Sequence, residues 1–313
     1  MEYKVLAYYL LTPMENPVKE VALHKSFLEK RNFKGRIYIS EEGINGQASG
    51  SLEDAEAYMA WMKERFGLDA FKIHLASEHA FEKMTVKYRR QLVAIDCEVD
   101  FSLTGEHVSP KEWKKMLEER DEHTLLLDVR NHYEWKIGRF EGAELPELET
   151  FREFPEYARK IRESKDPQKT RVMMYCTGGI RCEFFSSLMK KEGFEHVYQL
   201  DGGIINYGLQ EGSEHWKGKL FVFDDRLGVS MGSETISHCL HCAASEDTYY
   251  NCANMDCNAL FVCCKECLPH HQGCCSQECV QAPRVRPFRD DGKPFRKFSH
   301  EEKQVLKSAA LQS

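Results

Sequence analysis

The chain has 313 residues, 42% hydrophobic, 30% charged and 11% aromatic, with a formal net charge of −7. That length predicts two domains or three small ones rather than a single core, and the composition excludes collagenous, disordered and membrane-spanning classes. The negative balance excludes a protein coated in positive potential, yet residues 281–313 carry eight Lys or Arg against four acids, so the remainder sums to −11.

Met1 to Pro17 lacks the basic n-region and small-residue cleavage site of a secretory signal. No run approaches the ~18 apolar residues of a bilayer span. A cytoplasmic protein with no membrane partner is therefore expected. Residues 4–76 read as strand, helix, strand, strand, helix, strand. Val5 to Leu10 is a short apolar run; Pro17 to Lys30 has helical spacing behind Asn16 as N-cap; Arg36 to Ser40 alternates. Gly43, Gly46 and Gly50 punctuate the next stretch, Ser51 caps a second helix, and Phe71, Ile73 and Leu75 alternate again. This is the split βαβ, ferredoxin-like order, with Gln91 to Ile95 expected to close or extend it. Glu41, Glu42 and Asn45 lie on a Gly-rich loop that either lines a substrate path or simply turns. Arg89 and Arg90 either bind phosphate or decorate an edge strand.

A second unit opens at Ser109 and Pro110, an N-cap and first-turn pair before Trp113, Met116 and Leu117. Three apolar runs follow, Thr124 to Val129, Val172 to Tyr175 and Val197 to Leu200, separated by helix-compatible sequence. The alternation predicts an α/β domain with helices on both faces of a parallel sheet. The expected divisions are 1–100, 108–218, a Cys-rich segment 219–282 whose apolar content is too low for a core of its own, and a basic tail 283–313.

The second of those runs ends at Cys176, followed by Thr177, Gly178, Gly179, Ile180 and Arg181, with a helix beginning near Cys182 and Glu183. A strand turning tightly into a helix sits at the carboxyl end of the sheet, where open α/β folds bind ligands. Two glycines let backbone N–H groups converge, and such a nest, with the helix N-terminus and Arg181, favours a Cys176 thiolate or an anionic persulfide. Cys182 is either a second thiol that resolves an oxidised Cys176 or a small packing residue. Cys97 is taken as structural, and His132, following Asp128 to Arg130, as the most interesting histidine.

Of 13 cysteines, ten fall between Cys239 and Cys279. In a reducing compartment, clustered thiols point to metal ahead of disulfides. Cys239 and Cys242 form one CxxC, Cys264 and Cys267 another, and tetrahedral zinc wants four such ligands. The assignment is two structural zinc ions on Cys239, Cys242, Cys252, Cys257, Cys264, Cys267, Cys275 and Cys279, with Cys263 and Cys274 spare. Spacing leaves open the pairing, the choice between Cys274 and Cys275, and an iron–sulfur alternative. In the tail, Phe288, Phe295 and Phe298 interleave with the basic residues, which fits either RNA contact or a solvated terminus.

The strand-Cys-x4-Arg-helix unit resembles the active-site loop of rhodanese domains, together with Asp128-Val129-Arg130, Glu134, Gly138, Gly142-Ala143 and Leu200 to Ile204; Arg139 stands where many rhodaneses have His. Tyr38 to Gly46, Asn131 to Glu134, Tyr175 to Glu183, Phe221 to Asp224 and the cysteine cluster, in that order, resemble the bacterial rhodanese-containing tRNA uridine hydroxylases. That resemblance implies an acylphosphatase-like N-terminal domain and oxygen-dependent hydroxylation at C5 of the wobble uridine of tRNA. It also implies a requirement for Cys176, with molecular oxygen as co-substrate, tRNA as partner and no DNA. The residues alone point instead to persulfide sulfur transfer through Cys176, and a zinc-stabilised RNA-binding adaptor is a third reading. No flavin or nicotinamide fingerprint and no 2-His-1-carboxylate pattern is present in the sequence.

Overall fold

The computed structural model describes residues 2–232 and 234–288. Side-chain caps start its helices where Ser and Asn precede apolar periodicity. Asn16 accepts from Lys19 N at 2.9 Å, Ser51 from Asp54 N at 3.2 Å and Ser109 from Glu112 N at 3.3 Å, each satisfying a backbone donor that the first turn leaves unpaired. The chain forms two compact units, one of Met1–Trp135 with Phe140–Trp216, the other of Lys136–Arg139 with the chain from Lys217.

The first unit begins with β1 (Tyr3–Leu11), α1 (Pro17–Leu28), β2 (Phe33–Ser40), β3 (Gly43–Ser51), α2 (Leu52–Phe66), β4 (Lys72–Ala76) and β5 (Met84–Tyr88). The sheet order is β4-β1-β3-β2-β5. Its first four strands are antiparallel neighbours in the ferredoxin-like order, and β5 adds parallel to β2. Alternation sends Leu6, Tyr8, Ile37, Ile39, Ile44 and Ala48 to one face, where they pack with Val21, Leu28, Ala55, Tyr58 and Met62 of the two helices. Each fully buried Leu or Ile there contributes on the order of 1.5–3 kcal/mol. The fifth strand is Met84–Tyr88 and not Gln91 to Ile95. The latter segment is irregular, and its Val93 and Ile95 are buried in the next core. An apolar run of that length reads alike as strand or as core-filling loop.

There follow β6 (Glu106–Val108), α3 (Pro110–Glu118), β7 (Thr124–Asp128), α4 (His132–Ile137), β8 (Gly138–Phe140), α5 (Phe154–Ser164), β9 (Arg171–Tyr175), α6 (Ile180–Lys191), β10 (His196–Leu200) and α7 (Gly203–Glu211). The parallel sheet runs β6-β10-β9-β7. Leu125, Leu127, Val172, Met174 and Val197 meet α5 and α6 on one face. On the other, Trp113 of α3, Tyr175 and Tyr207 of α7 surround the Phe140 ring. The short edge strand β6 carries no apolar run and escaped the pattern.

The second unit, to which Gly138 and Arg139 of β8 belong, sheets that strand with β11 (Trp216–Leu220) and β12 (Val229–Ser230), then holds the hairpin β13 (Tyr249–Asn251) and β14 (Leu260–Val262) and two short helices, α8 (Cys267–His270) and α9 (Gln277–Val280). Contrary to expectation it does build a small core. Cys239, Cys252, Cys263, Cys274 and Cys279 are themselves its buried residues, with Tyr250, Ala253, Phe261 and Leu268.

Candidate active site at the Cys176 loop

Residues 176–179 link β9 to α6, with Gly179 as N-cap at φ 103°. The Gly179 N–H donates to Cys176 Sγ at 3.1 Å. The loop rests on the start of α7, where Ile204 N donates to Cys176 O at 3.0 Å and Ile205 N to Thr177 O at 3.1 Å. Gly203 makes that seat possible. Its φ is +67°, and a Cβ there would lie 2.5 Å from Cys176 O and 2.8 Å from both Gly179 N and Thr177 O.

Cys176 is fully buried. Burial alone would push its thiol up, but hydrogen bonding from the Cys182 thiol, the Arg181 charge and the N–H groups of Cys182 and Gly179 outweigh it and bring the thiol down to about 5. Cys182 shifts the opposite way, raised by its own burial and by the neighbouring Cys176, so it is a donor to the thiolate.

Arg181 does not face the thiolate alone. Glu134 from α4 takes it in a two-pronged pair at 2.5 and 2.8 Å, and Thr177 Oγ1 bridges them, donating to Glu134 at 2.8 Å and accepting from Arg181 at 3.2 Å. Burial would raise the Glu134 carboxyl, yet Arg181 holds it below the usual range. The guanidinium thereby clamps the loop while adding only part of its charge to the nest.

The N-terminal sheet supplies two more contacts. The Tyr9 hydroxyl donates to Glu183 Oε1 at 2.6 Å, and its ring lies against Gly179. Lys72 Nζ donates to Gly178 O at 2.7 Å, with burial lowering its pKa. Glu183 also accepts from His107 at 2.8 Å and Gln199 at 3.2 Å. Tyr9, Phe71, Lys72, Glu183, Asp201 and Asn206 line a cleft of about 600 Å³ beside the loop, a size that suits a small ligand or one nucleotide. Sequence reasoning did not pick out Tyr9, Lys72 or Glu134 as site residues. The signal present was Glu134 in the rhodanese matches and in the Asn131 to Glu134 motif, with no role attached to it. Of the other residues weighed, Glu41 accepts from Tyr88 and Glu42 from Leu92 N, and both line, with Arg90 and Gln91, a second cavity of about 630 Å³. His132 is exposed, with edge contacts to Tyr133 and Trp135. Cys97 packs against the core of the parallel sheet.

In the second unit the thiols of Cys239, Cys242, Cys264 and Cys267 lie within 4.8 Å of one another, as do those of Cys252, Cys257, Cys275 and Cys279. A zinc ion with bonds of about 2.3 Å sets sulfur atoms about 3.8 Å apart at the corners of a tetrahedron. The spacing is 3.7 Å for Cys242–Cys264 and Cys257–Cys275 and 3.8 Å for Cys275–Cys279. The two CxxC units share one set, the set between and after them forms the other, and Cys263 and Cys274 are buried outside both. No cysteine is disulfide-bonded, and the donor sets fit a four-coordinate thiolate metal. In the basic tail, Arg284 pairs with Asp256, and Arg286 donates to Cys252 O and Asn258. Phe288 packs on the cysteine core. Arg289 to Lys307 of the tail, with Phe295 and Phe298, lie outside the described residues.

A strand-Cys-x4-Arg-helix loop on a parallel sheet, with its thiol poised as an anion, defines a rhodanese-type thiol protein joined to an acylphosphatase-like domain. Three family profiles agree: UPF0176 acylphosphatase like domain over residues 3–92, Rhodanese-like domain over 109–209 and Rhodanase C-terminal over 217–280. A tRNA uridine(34) hydroxylase of Protochlamydia amoebophila (strain UWE25) is 57% identical over 97% of both chains. One of Chlamydia felis (strain Fe/C-56) is 57% identical over 95% of this chain and 93% of its own, and one of Chlamydia pneumoniae is 55% identical over 95% and 94%. The chain belongs to the tRNA uridine(34) hydroxylase family. No helix among the described residues is long and apolar enough to cross a membrane.

Proposed function

We propose that this chain hydroxylates uridine 34 of tRNA at C5, with the Cys176 thiolate as the reacting group and molecular oxygen as co-substrate. The observation that carries the reading is a buried thiol brought down to about 5, on a loop touched by Tyr9 and Lys72 of a cleft of about 600 Å³, in a chain matched along nearly its whole length by relatives named tRNA uridine(34) hydroxylase. Addition of the thiolate to C6 of the pyrimidine moves the C5=C6 electron pair toward C5 and O4, making C5 nucleophilic. Placing one oxygen atom of O2 at C5 and releasing the other as water takes two electrons and two protons from an external reductant, after which loss of the C5 proton breaks the C6–S bond, restores the C5=C6 double bond and returns Cys176 as the thiolate. Arg181 and the Gly179 N–H hold the thiolate before attack. Lys72, already bonded to Gly178 O, and Tyr9 are the groups of the N-terminal sheet nearest the loop.

Cys176, Arg181 and the loop Thr177 to Ile180 form the reacting centre in this reading, with Cys182 as a thiol donor to Cys176. The eight cysteines hold two zinc ions, whose contribution is structural. The reading is tested by nucleoside mass spectrometry of tRNA from cells lacking the gene, complemented with wild type or Cys176→Ser. Wild type restores a hydroxylated uridine at position 34 and Cys176→Ser does not. Restoration of a thiolated species instead would replace hydroxylation by sulfur transfer, for which the same anion nest is suited.

A further inference from the structure

The helices α1 and α2 cover one face of the N-terminal sheet. Strand pairing fixes what projects from the other. One row across the strands reads Lys87, Tyr38, Asn45, Tyr9, and the next reads Thr85, Arg36, Gln47, Ala7, Lys72. Including Lys34, four basic side chains and no carboxylate project from this face of the five strands, in a chain of net charge −7. Just beyond β5, the Arg89 guanidinium lies 5.0 Å from the centre of the Tyr38 ring, and Lys87 and Arg89 are exposed. The segment carrying Ala80 and Phe81 packs over Val5 and Ala76 at one end, its Phe81 ring 5.8 Å from the Arg36 guanidinium, and Leu11 at the other end packs on the core of the parallel sheet, with the exposed or half-buried Lys87, Tyr38 and Asn45 between them.

The open row leads to chemistry. Each row terminates at a residue that touches the Cys176 loop, Tyr9 against Gly179 and Lys72 on Gly178 O. Strands are about 4.8 Å apart, so Tyr38 and Tyr9, two strands apart, are separated by about 10 Å. That is the reach of one to two nucleotides of unstacked single strand. Aromatic rings on an open antiparallel sheet stack bases, and flanking Arg and Lys hold phosphates.

We infer that this face is a track for single-stranded RNA, the anticodon loop of tRNA. A base stacks on Tyr38, the exposed Lys87 and Arg89 hold the phosphates, and the next nucleotides are led past Asn45 to Tyr9, Lys72 and the cleft. The occupant is argued from charge complementarity and from continuity with the reacting loop, and it rests on the tRNA reading above.

The test is fluorescence anisotropy of the full chain with a labelled anticodon stem–loop RNA, run beside hydroxylation of that RNA by mass spectrometry. Tyr38→Ala weakens binding roughly 5- to 100-fold while Tyr38→Phe retains it. Lys87→Ala/Arg89→Ala lowers the slope of log K against log salt by about 1.4, two single-strand phosphates at about 0.7 each. Lys25→Ala/Lys30→Ala, on the helix side, leaves both unchanged. Unaltered affinity in the face variants, or equal loss in the helix-side pair, would overturn the track. Selective loss of binding with no hydroxylation by wild type would keep the track and remove the proposed reaction. Hydroxylation by wild type with unaltered face-variant affinity would do the reverse.

Discussion

At Cys176 two opposing effects of comparable size decide the protonation state. Burial disfavours the anion; the thiol and N–H of Cys182, the Arg181 charge and the Gly179 N–H together outweigh it. Because the folded-state value of about 5 lies below the ordinary thiol value of 9.0, ionisation stabilises the fold fully above pH 9, and that contribution fades as pH falls toward 5. Peptide-resolved alkylation of Cys176 is accordingly expected to rise with a midpoint near pH 5 and to be flat from pH 7 to 9. An Arg181→Ala variant moves that midpoint upward. Glu134→Gln breaks a buried pair and leaves Arg181 only the Cys176 thiolate as counter-charge, and urea titration should show a loss of about 3–5 kcal/mol. Cys176 and Arg181 were legible because they lie five residues apart on one turn. Glu134 was not, because it sits 47 positions from Arg181 and only the strand order brings it there.

At the scale of elements, the reactive loop is a junction of β9, α6 and α7, and its tolerance to a single methyl group differs sharply between neighbouring glycines. A Cβ on Gly203 meets three backbone atoms at 2.5–2.8 Å, whereas one on Gly178 meets nothing within 4 Å. Gly203→Ala is therefore expected to displace the loop and abolish uridine hydroxylation, with a cost of about 1–3 kcal/mol in thermal or urea unfolding. Gly178→Ala should retain stability near wild type. Equal effects of the two would contradict the seat described for the loop. Helix starts and the three long parallel strands were readable from caps and apolar runs. Strand β5 and the placement of Gln91 to Ile95 were not, since one short apolar stretch fits a strand and a core-lining loop equally well.

Over the whole molecule, the 13 cysteines divide by environment. Cys176 is a lowered thiol in a backbone nest with Cys182 as its donor, Cys97 packs on the parallel-sheet core, eight stand in two sets at metal-ligand spacing, and Cys263 and Cys274 fill a core too small to persist on apolar contacts alone. Metal analysis of the purified chain should give close to two zinc ions. Their removal with a chelator and thiol reagent should erase hydrogen-exchange protection in β13 and β14. A visible chromophore near 400 nm with iron in place of zinc would revise the metal. Caps, apolar periodicity and short motifs act over a few residues, so the capped helix starts, the longer strands, the reactive Cys-x4-Arg loop and the metal-grade thiol cluster are written in the sequence alone. Tertiary structure alone decided how the thiols pair, which carboxylate holds Arg181, and that Tyr9 and Lys72 reach the Cys176 loop from a separate sheet. Those contacts join residues tens to more than a hundred positions apart, and only strand order and register specify them.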